Sequence, residues 1–576
     1  MKDSPIILKY VLQNALNFNG TANPKVVLGQ VLKEMPGLKA DVPNLMKEIE
    51  STVKETAKLD LTQIKEKLNQ LAPELLSATE KPIDLGGLKP LPQAKKGALR
   101  VRIAPSPSGP LHIGHAYGAS LNFEYAKMYA GKLILRIEDT NPENIYPPAY
   151  SLIEKDSQWL TDNGLAQVVV QSSRLGVYYD YAEKLIGLDK AYVCTCDPDL
   201  WRELKNDGKA CPCRSLKPKQ NSIRYAQMFG EFGEGEAVLR LKTDIQDKNP
   251  AMRDFAILRI NQHVHPRTKT EQRVWPLMVF SVAIDDHELG ITHVLNGKDH
   301  ADNAKKEALI MKYLGLNIPQ YKHWGRINFL GLKLSTSQTR LAIEQGEYNS
   351  WEDIRLPFLP ALRRRGYQPG AFRRYALEIG LSLNDKTVPI EEFWKNVNSF
   401  NKEIVEPKAN RYFFVDDPKT IKIVNAPSKK VELDLHPDFP KRGRREIQAI
   451  PEVNISNTDY QRLMDPSAEK NIHRLMDCCN FQFKNGQFKF VSEDYNNYKN
   501  NPDRGLIMHW LPVQKNLPQV EVLLDNGTTV CGLGEEAMNC LKEGQIVQLE
   551  RRYFARVDKI ETSKKNTKIK FWYLHK

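Results

Sequence analysis

The segment Ala104-Pro-Ser-Pro-Ser-Gly-Pro-Leu-His-Ile-Gly-His115 links a run that reads as a short buried strand, Arg100 to Pro105, to a helix beginning near His115. Such a turn exposes unpaired backbone N–H groups at the positive end of a helix dipole, where anions dock. Gly114 has no Cβ, so a nucleotide base can approach the backbone closely. His112 and His115 can donate hydrogen bonds to phosphate oxygens, which would stabilise charge developing at an α-phosphate under attack. Gly109 and Gly114 have the separation of a phosphate-binding loop, but His115-Ala116 stands where that loop needs Lys-Ser/Thr. No Gly-x-Gly-x-x-Gly is present. The bland alternative is a tight turn with two surface histidines, and the full string in this context speaks against it.

A second constellation is Cys194-x-Cys196, fourteen residues, then Cys211-x-Cys213. Two close pairs separated by a loop can wrap one tetrahedral structural Zn²⁺ as Cys₄, with no open position for catalysis. Four buried free thiols are the alternative, and a disulfide reading suits a cytosolic setting poorly. Cys478, Cys479, Cys531 and Cys540 lack ligand spacing and read as core or surface thiols. Asp285-Asp286-His287 looks like a metal triad but reads better as a strand-end cluster near a substrate.

These residues must be positioned by a large chain. Its 576 residues suit roughly four domains. A hydrophobic fraction of 41% and a charged fraction of 27% exclude collagen-like, disordered and disulfide-scaffold classes. No apolar run is long enough to span a bilayer, and the N-terminus lacks signal-peptide features, so the expectation is a cytoplasmic protein without a membrane partner. Lys plus Arg number 83 against 70 Asp plus Glu, a surplus of +13 that suits a polyanionic partner.

The pattern predicts a multidomain α/β protein. Residues 1–95 read as a helical appendage ending in a Pro/Gly/Lys-rich linker. Residues 96–190 read as an α/β segment with one strand–loop–helix–strand unit of a parallel sheet, with Ala116, Ala119, Phe123, Ala126 and Ala130 on one helix face and a second strand in KLILRIED. Residues 191–275 form an insertion carrying the cysteines, 276–345 a second α/β segment, and 346–410 a basic helical segment. From 411 to 576 many short strands suggest antiparallel barrels.

The loop string resembles the His-Ile-Gly-His signature of class I aminoacyl-tRNA synthetases in its glutamyl/glutaminyl form. LILRIEDTNP (133–142), DDHELGITHVLNGKDHADN (285–303), WEDIRLPFLPALRRRGY (351–367), ANRYFFVDDP (409–418) and HPDFPKRGRREI (436–447) match the same subgroup. The β-rich C-terminal half is similar to the archaeal/eukaryotic branch. The resemblance implies a Rossmann core in two halves, an acceptor-stem insertion with a zinc knuckle, a helical connector and two anticodon-binding β-barrels. It implies ATP and Mg²⁺ as cofactors, with Pro105, Gly109, His112, Gly114, His115 and Lys333 around the nucleotide. The family's second signature, a mobile cationic loop, stands here as Lys333-Leu334-Ser335-Thr336-Ser337, making Lys333, Ser335 and Ser337 catalytic candidates beside His112 and His115. Arg102, Ser106 and Glu138 are implied amino-acid contacts. A guanidinium fork suits a carboxylate, and a carboxylate suits the α-ammonium. Met278 and Asn296 stand where the family's glutamyl members carry a tyrosine and an arginine; Lys298 and Arg340 are candidate replacement cations.

The implied activity is a glutamate–tRNA ligase that forms glutamyl-adenylate and transfers it to tRNA(Glu), and in some enzymes of the type also to tRNA(Gln). The alternatives are a glutamine–tRNA ligase on the same fold, favoured by Asn296, and a tRNA-binding paralogue without ligase activity. The basic runs at 363–365, 373–374, Lys441-Arg442 and 444–445 read collectively as phosphate contacts, and Arg551-Arg552-Tyr553-Phe554 as an anticodon-stacking surface. The N-terminal helical region carries no chemistry and is a candidate docking site for a protein partner or tRNA.

Overall fold

The computed structural model describes residues 5–17, 20–72, 75, 88–269, 272–563 and 566–576. The chain divides into two compact units, Met1–Gly87 and Leu88–Lys576.

In the first unit, α1 (Pro5–Asn17), α2 (Pro24–Glu34), α3 (Val42–Thr56) and α4 (Leu61–Leu71) surround a core of Val11, Leu12, Val27, Val31, Ile49, Ile64 and Leu68. Asp60 starts α4 with a capping box, its side chain accepting from the Gln63 N–H while Gln63 reaches back. α4 ends at Leu71, and much of the following stretch, including 80–87 of the expected linker, lies outside the described residues.

The second unit opens with β1 (Arg100–Ile103), α5 (Ile113–Met128) and β2 (Lys132–Ile137), followed by α6 (Ala149–Leu160) and β3 (Leu165–Val170). β1, β2 and β3 form a parallel sheet in that order. The small residues Ala116, Ala119 and Ala126 are buried on α5, letting the helix lie close; Ala130 falls beyond its end with a positive φ. The chain continues through α7 (Leu175–Gly187), β4 (Ala191–Cys194), α8 (Pro198–Asn206) and α9 (Pro218–Met228) to β5 (Val238–Leu241), β6 (Ala256–Ile260) and β7 (Val274–Pro276). The four strands β4 to β7 make an antiparallel sheet around Trp275.

The core resumes with α10 (Met278–Glu288), β8 (His293–Gly297), α11 (Ala301–Leu314), β9 (Gln320–Trp324), β10 (Ile327–Leu330) and α12 (Thr336–Glu344). β8 and β9 pair in parallel, and Thr292 N–H donates to the Arg100 carbonyl at 3.0 Å, joining them to the β1 edge. Parallel strands with helical crossovers aim their C-terminal ends, and the loops that follow them, to one rim. α13 (Leu359–Arg365), α14 (Pro369–Ile379) and α15 (Ile390–Val405) then pack Phe372, Tyr375, Phe393 and Val397 against α5 and α6.

The C-terminal half holds two seven-stranded sheets. The end strands of one, Asn410–Tyr412 and Phe414–Asp416, are separated in the chain by Phe413 alone, so this sheet curls back on itself nearly as a barrel. The expected antiparallel character dominates, but four parallel pairings also occur, among them Gln519–Leu523 with Thr567–His575. Curling brings chain-distant strands together in either direction.

Candidate active site

His112 caps α5 in an extended conformation, and its Nδ1 accepts from the Gly114 N–H at 3.1 Å. His115 Nδ1 in turn accepts from the His112 N–H at 3.3 Å. The two rings stack with centroids 3.8 Å apart. Because both Nδ1 atoms accept, each neutral imidazole carries its proton on Nε2. Burial, and secondarily the neighbouring His115, depresses His112 to about 2. The surrounding chain depresses His115 as well, although its side chain keeps an edge open to the cavity. The pair therefore offers neutral N–H donors rather than cations.

The loop before α5 is clamped from two sides. Leu111 N–H donates to the buried Asp156 Oδ2 at 3.1 Å, and Arg363 approaches Asp156 Oδ1 at 3.4 Å. Leu359 N–H donates to the Leu111 carbonyl at 2.8 Å, and Ile113 N–H to the Pro357 carbonyl at 3.2 Å. The connector thus braces the signature loop through main-chain bonds.

A cavity of about 540 Å³ opens beside these histidines. Of the expected residues, Arg102, Pro105, Ser106, His112, Gly114, His115, Glu138, Met278 and Asn296 line it together. Gly109, Lys333, Ser335 and Ser337 do not. Their loop nonetheless lies against the His112 loop: a Cβ on Gly109 would overlap the Thr336 methyl, and one on Gly114 would lie 3.7 Å from Leu334. Ser335 caps α12, its hydroxyl accepting from the Gln338 N–H, and Lys333 is exposed.

Electrostatics order the cavity floor. Asp286 accepts from Arg102 Nε and Nη2 at 3.2 and 3.3 Å and from Arg136 Nη1 at 2.5 Å. Arg136 Nη2 also donates to Glu138 at 2.9 Å, fixing that carboxylate at the cavity wall. Burial opposes the Asp286 charge, but the two guanidinium groups outweigh it and hold its pKa low. Asp285 accepts from Gln171, Arg174 and Tyr178. The expected strand-end cluster is therefore incorrect: Asp285, Asp286 and His287 belong to α10, whose buried face turns both aspartates onto arginines. Neither candidate cation reaches the cavity wall. Lys298 Nζ pairs with Asp385 at 2.7 Å, and Arg340 lies 3.8 Å from Glu344. Asn296 Oδ1 lies 2.6 Å from His323 Nδ1.

Sequence reasoning missed Glu307, Trp324 and Arg326, which also line the cavity. Glu307 had a signal: it occupies the helix stripe shared by Ala304, Ile310 and Met311, where an apolar residue is expected.

The cysteines converge. Cys194, Cys196 and Cys213 offer sulfurs within 4.8 Å of one another, and Cys211 Sγ lies 3.9 Å from Cys194 Sγ. Cys196 and Cys213 are 3.7 Å apart. These separations exclude a disulfide, whose S–S bond is about 2.05 Å. They match the edge of a sulfur tetrahedron around a metal, about 3.8 Å for a Zn–S length of 2.3 Å. The Cys194 thiol, donating to Cys211, lowers Cys211 to about 5, with the Tyr192 hydroxyl adding to it. Burial opposes ionisation of Cys213, but Thr195 and Arg224 overcome it and lower its pKa.

Most arginines of the basic runs are paired within the chain, some of them at its surface. Arg364 binds Asp558 and Glu352, Arg365 donates to the carbonyls of Tyr573 and Leu574, and Arg373 pairs with Glu124 and Asp162. Arg374 pairs with Glu403, Arg444 with Glu432, and the buried Arg445 with Glu535 and Glu550. Phe554 is buried and cannot stack on a base. Carboxylates and carbonyls take up donors of these residues within the chain, while Arg374 and Arg444 remain exposed.

Residues 98–407 match the model of the catalytic domain of class I tRNA synthetases for glutamate and glutamine (E and Q). Residues 409–498 match the anticodon-binding domain of the same synthetases. The chain belongs to this family. It is thus an aminoacyl-tRNA ligase with the class I synthetase fold. A glutamate–tRNA ligase of Methanothermobacter thermautotrophicus is 40% identical over 575 residues, covering 99% of both chains. Those of Pyrococcus abyssi and Pyrococcus furiosus are each 41% identical, covering 98% and 100% of this chain and 99% and 100% of their own. In this synthetase, no helix among the described residues is long and apolar enough to cross a membrane.

Proposed function

We propose that the protein is a glutamate–tRNA ligase acting on tRNA(Glu). The observation that carries this reading is the single cavity in which Arg102, Glu138, His112 and His115 meet, in a chain alike over its full length to glutamate–tRNA ligases. In the first step the glutamate α-carboxylate attacks the ATP α-phosphate, a P–O bond forms, and pyrophosphate leaves. In the second, the tRNA 3′-terminal ribose hydroxyl attacks the adenylate carbonyl and AMP leaves.

The chain's part is positioning and charge stabilisation. Glu138, kept in place by Arg136, receives the α-ammonium. The Nε2–H groups of His112 and His115 and the N-terminus of α5 face the phosphates. Lys333 supplies a cation from the loop docked beside Gly109. Mg²⁺, when bound with ATP, would neutralise phosphate charge. Cys194, Cys196, Cys211 and Cys213 fit a structural Zn²⁺, since their sulfur spacing and the lowered thiols of Cys211 and Cys213 suit thiolate ligation.

The test is aminoacylation of tRNA(Glu) and tRNA(Gln) transcripts with ATP, Mg²⁺ and either glutamate or glutamine. Charging of tRNA(Glu) with glutamate is expected. Charging with glutamine alone would overturn the substrate assignment, and tRNA binding without charging would overturn the ligase assignment.

A further inference from the structure

Glu307 is 3% exposed and lines the cavity. The groups facing it come from four directions: Asp286 on α10, Arg102 on β1, Arg136 and Glu138 on and just after β2, and Tyr321 on β9. The Tyr321 hydroxyl, behind the cavity wall, interacts with the Glu307 carboxyl. Arg102 and Arg136 favour the ionised Glu307, but burial and Asp286 outweigh them, and Asp286 and Glu138 take their hydrogen bonds. A buried carboxyl in the cavity lining that the reaction steps above do not use is placed to meet the bound amino acid, whose polar groups need partners there because each one left unpaired costs about 1–3 kcal/mol.

We propose that Glu307 is a specificity-determining residue of this pocket, its carboxyl hydrogen-bonding the side-chain head of the bound amino acid. The inference rests on the glutamate–tRNA ligase reading. Burial, reinforced by the Asp286 charge, raises the Glu307 carboxyl to about 7. Below that value it is neutral and donates an O–H to a substrate carboxylate, as a buried neutral carboxylic acid can. Above it, the ionised group repels that carboxylate. A carboxamide is served by both forms, accepting from the acid or donating to the carboxylate. The preference for glutamate over glutamine therefore falls as pH rises through about 7. The histidines of the signature, both depressed, do not titrate there.

The experiment measures KM for glutamate and for glutamine between pH 6 and 8.5 in tRNA charging by the full chain, for wild type, Glu307→Gln and Glu307→Ala. Wild type is expected to hold its glutamate KM up to about pH 7 and then lose up to tenfold per pH unit. Glu307→Gln, which keeps a neutral donor, should flatten that rise with kcat within threefold. Glu307→Ala should raise the glutamate KM at least tenfold at pH 6.5. tRNA binding by each variant reports folding, and the conservative glutamine variant keeps the test open if the alanine variant unfolds. Parallel wild-type and Glu307→Gln profiles, in an enzyme that does charge glutamate, overturn the inference alone. Wild-type charging of neither amino acid overturns the functional reading, and the inference with it.

Discussion

Asp286 grips Arg102 through two bonds of 3.2 and 3.3 Å while also receiving Arg136, so one buried carboxylate sets the direction of one cavity-lining guanidinium and of the arginine that holds Glu138. The candidate substrate contacts are thus linked through a residue that does not line the cavity itself.

Removing that link should cost both stability and binding. Asp286→Ala leaves two buried guanidinium groups short of a partner, a loss of about 3–5 kcal/mol. Asp286→Asn keeps the volume and should fold better, with a raised KM for the amino acid because Arg102 and Glu138 are less firmly aimed. The native Asp286 pKa lies below its unfolded value. Its stabilising contribution is therefore fully present above about pH 4 and is lost as pH falls through the lowered native pKa. Chemical denaturation of wild type and Asp286→Asn from pH 2 to 6 should show the two curves converging at the acid end.

Asp156 should behave in the opposite sense. Burial raises its carboxyl to about 7, against the pull of Arg363 and the Leu111 N–H. The native state holds a proton that the unfolded state has released between about pH 4 and 7, so this group's contribution to stability falls across that window. Asp156→Asn keeps an oxygen acceptor for Leu111 and removes the titration. Its stability should vary less than that of wild type between pH 4 and 7. Asp156→Ala frees the Leu111 N–H and should lower kcat roughly tenfold or more by loosening the His112 loop. Denaturation midpoints and charging rates, measured on the same preparations, separate the two effects.

The strand–loop–helix at Arg100–Met128 was legible because the small residues Ala116, Ala119 and Ala126 keep helical spacing and the loop is marked by Pro and Gly. The cysteine cluster was legible because ligand spacing survives without knowledge of the fold. The intramolecular partners of the basic runs were not legible, because a local count of cations says nothing of distant carboxylates: Asp558 lies 194 residues from Arg364 and Glu535 lies 90 from Arg445. Asp285 and Asp286 were placed on a strand end because two adjacent acids carry no periodicity. Only the helix around them shows that both sides of the pair are buried.

The cysteine site predicts a stoichiometric metal. Purified protein should carry one Zn²⁺ per chain by elemental analysis. Cys211→Ser removes a thiol whose pKa Cys194 and Tyr192 lower and should lower that content severalfold. The antiparallel sheet of β4 to β7 has its own apolar core around Trp275. Metal loss should therefore open the 194–216 segment to proteolysis while leaving the remainder cooperatively folded. Limited proteolysis with and without a chelator reads this directly, and unchanged cleavage after complete metal removal would exclude a structural role.

Gly109 and Thr336 provide the sharpest test of whether the docked loop matters to the chemistry. An added Cβ at Gly109 would collide with the Thr336 methyl and press the Trp351 ring at 3.3 Å. Gly109→Ala should therefore displace the Lys333 loop, and a displacement of about 1 Å lowers the rate roughly 10²-fold when positioning dominates. Thr336→Ser alone removes only the methyl, keeps the helix start at Ser335 and should be near neutral. Combined with Gly109→Ala, it should recover most of the lost rate, short of full recovery because Trp351 still has to shift. Single-turnover adenylate formation with tRNA present measures the step concerned. Equal rates for the single alanine variant and the double variant would mean that the contact between the two loops does not govern catalysis.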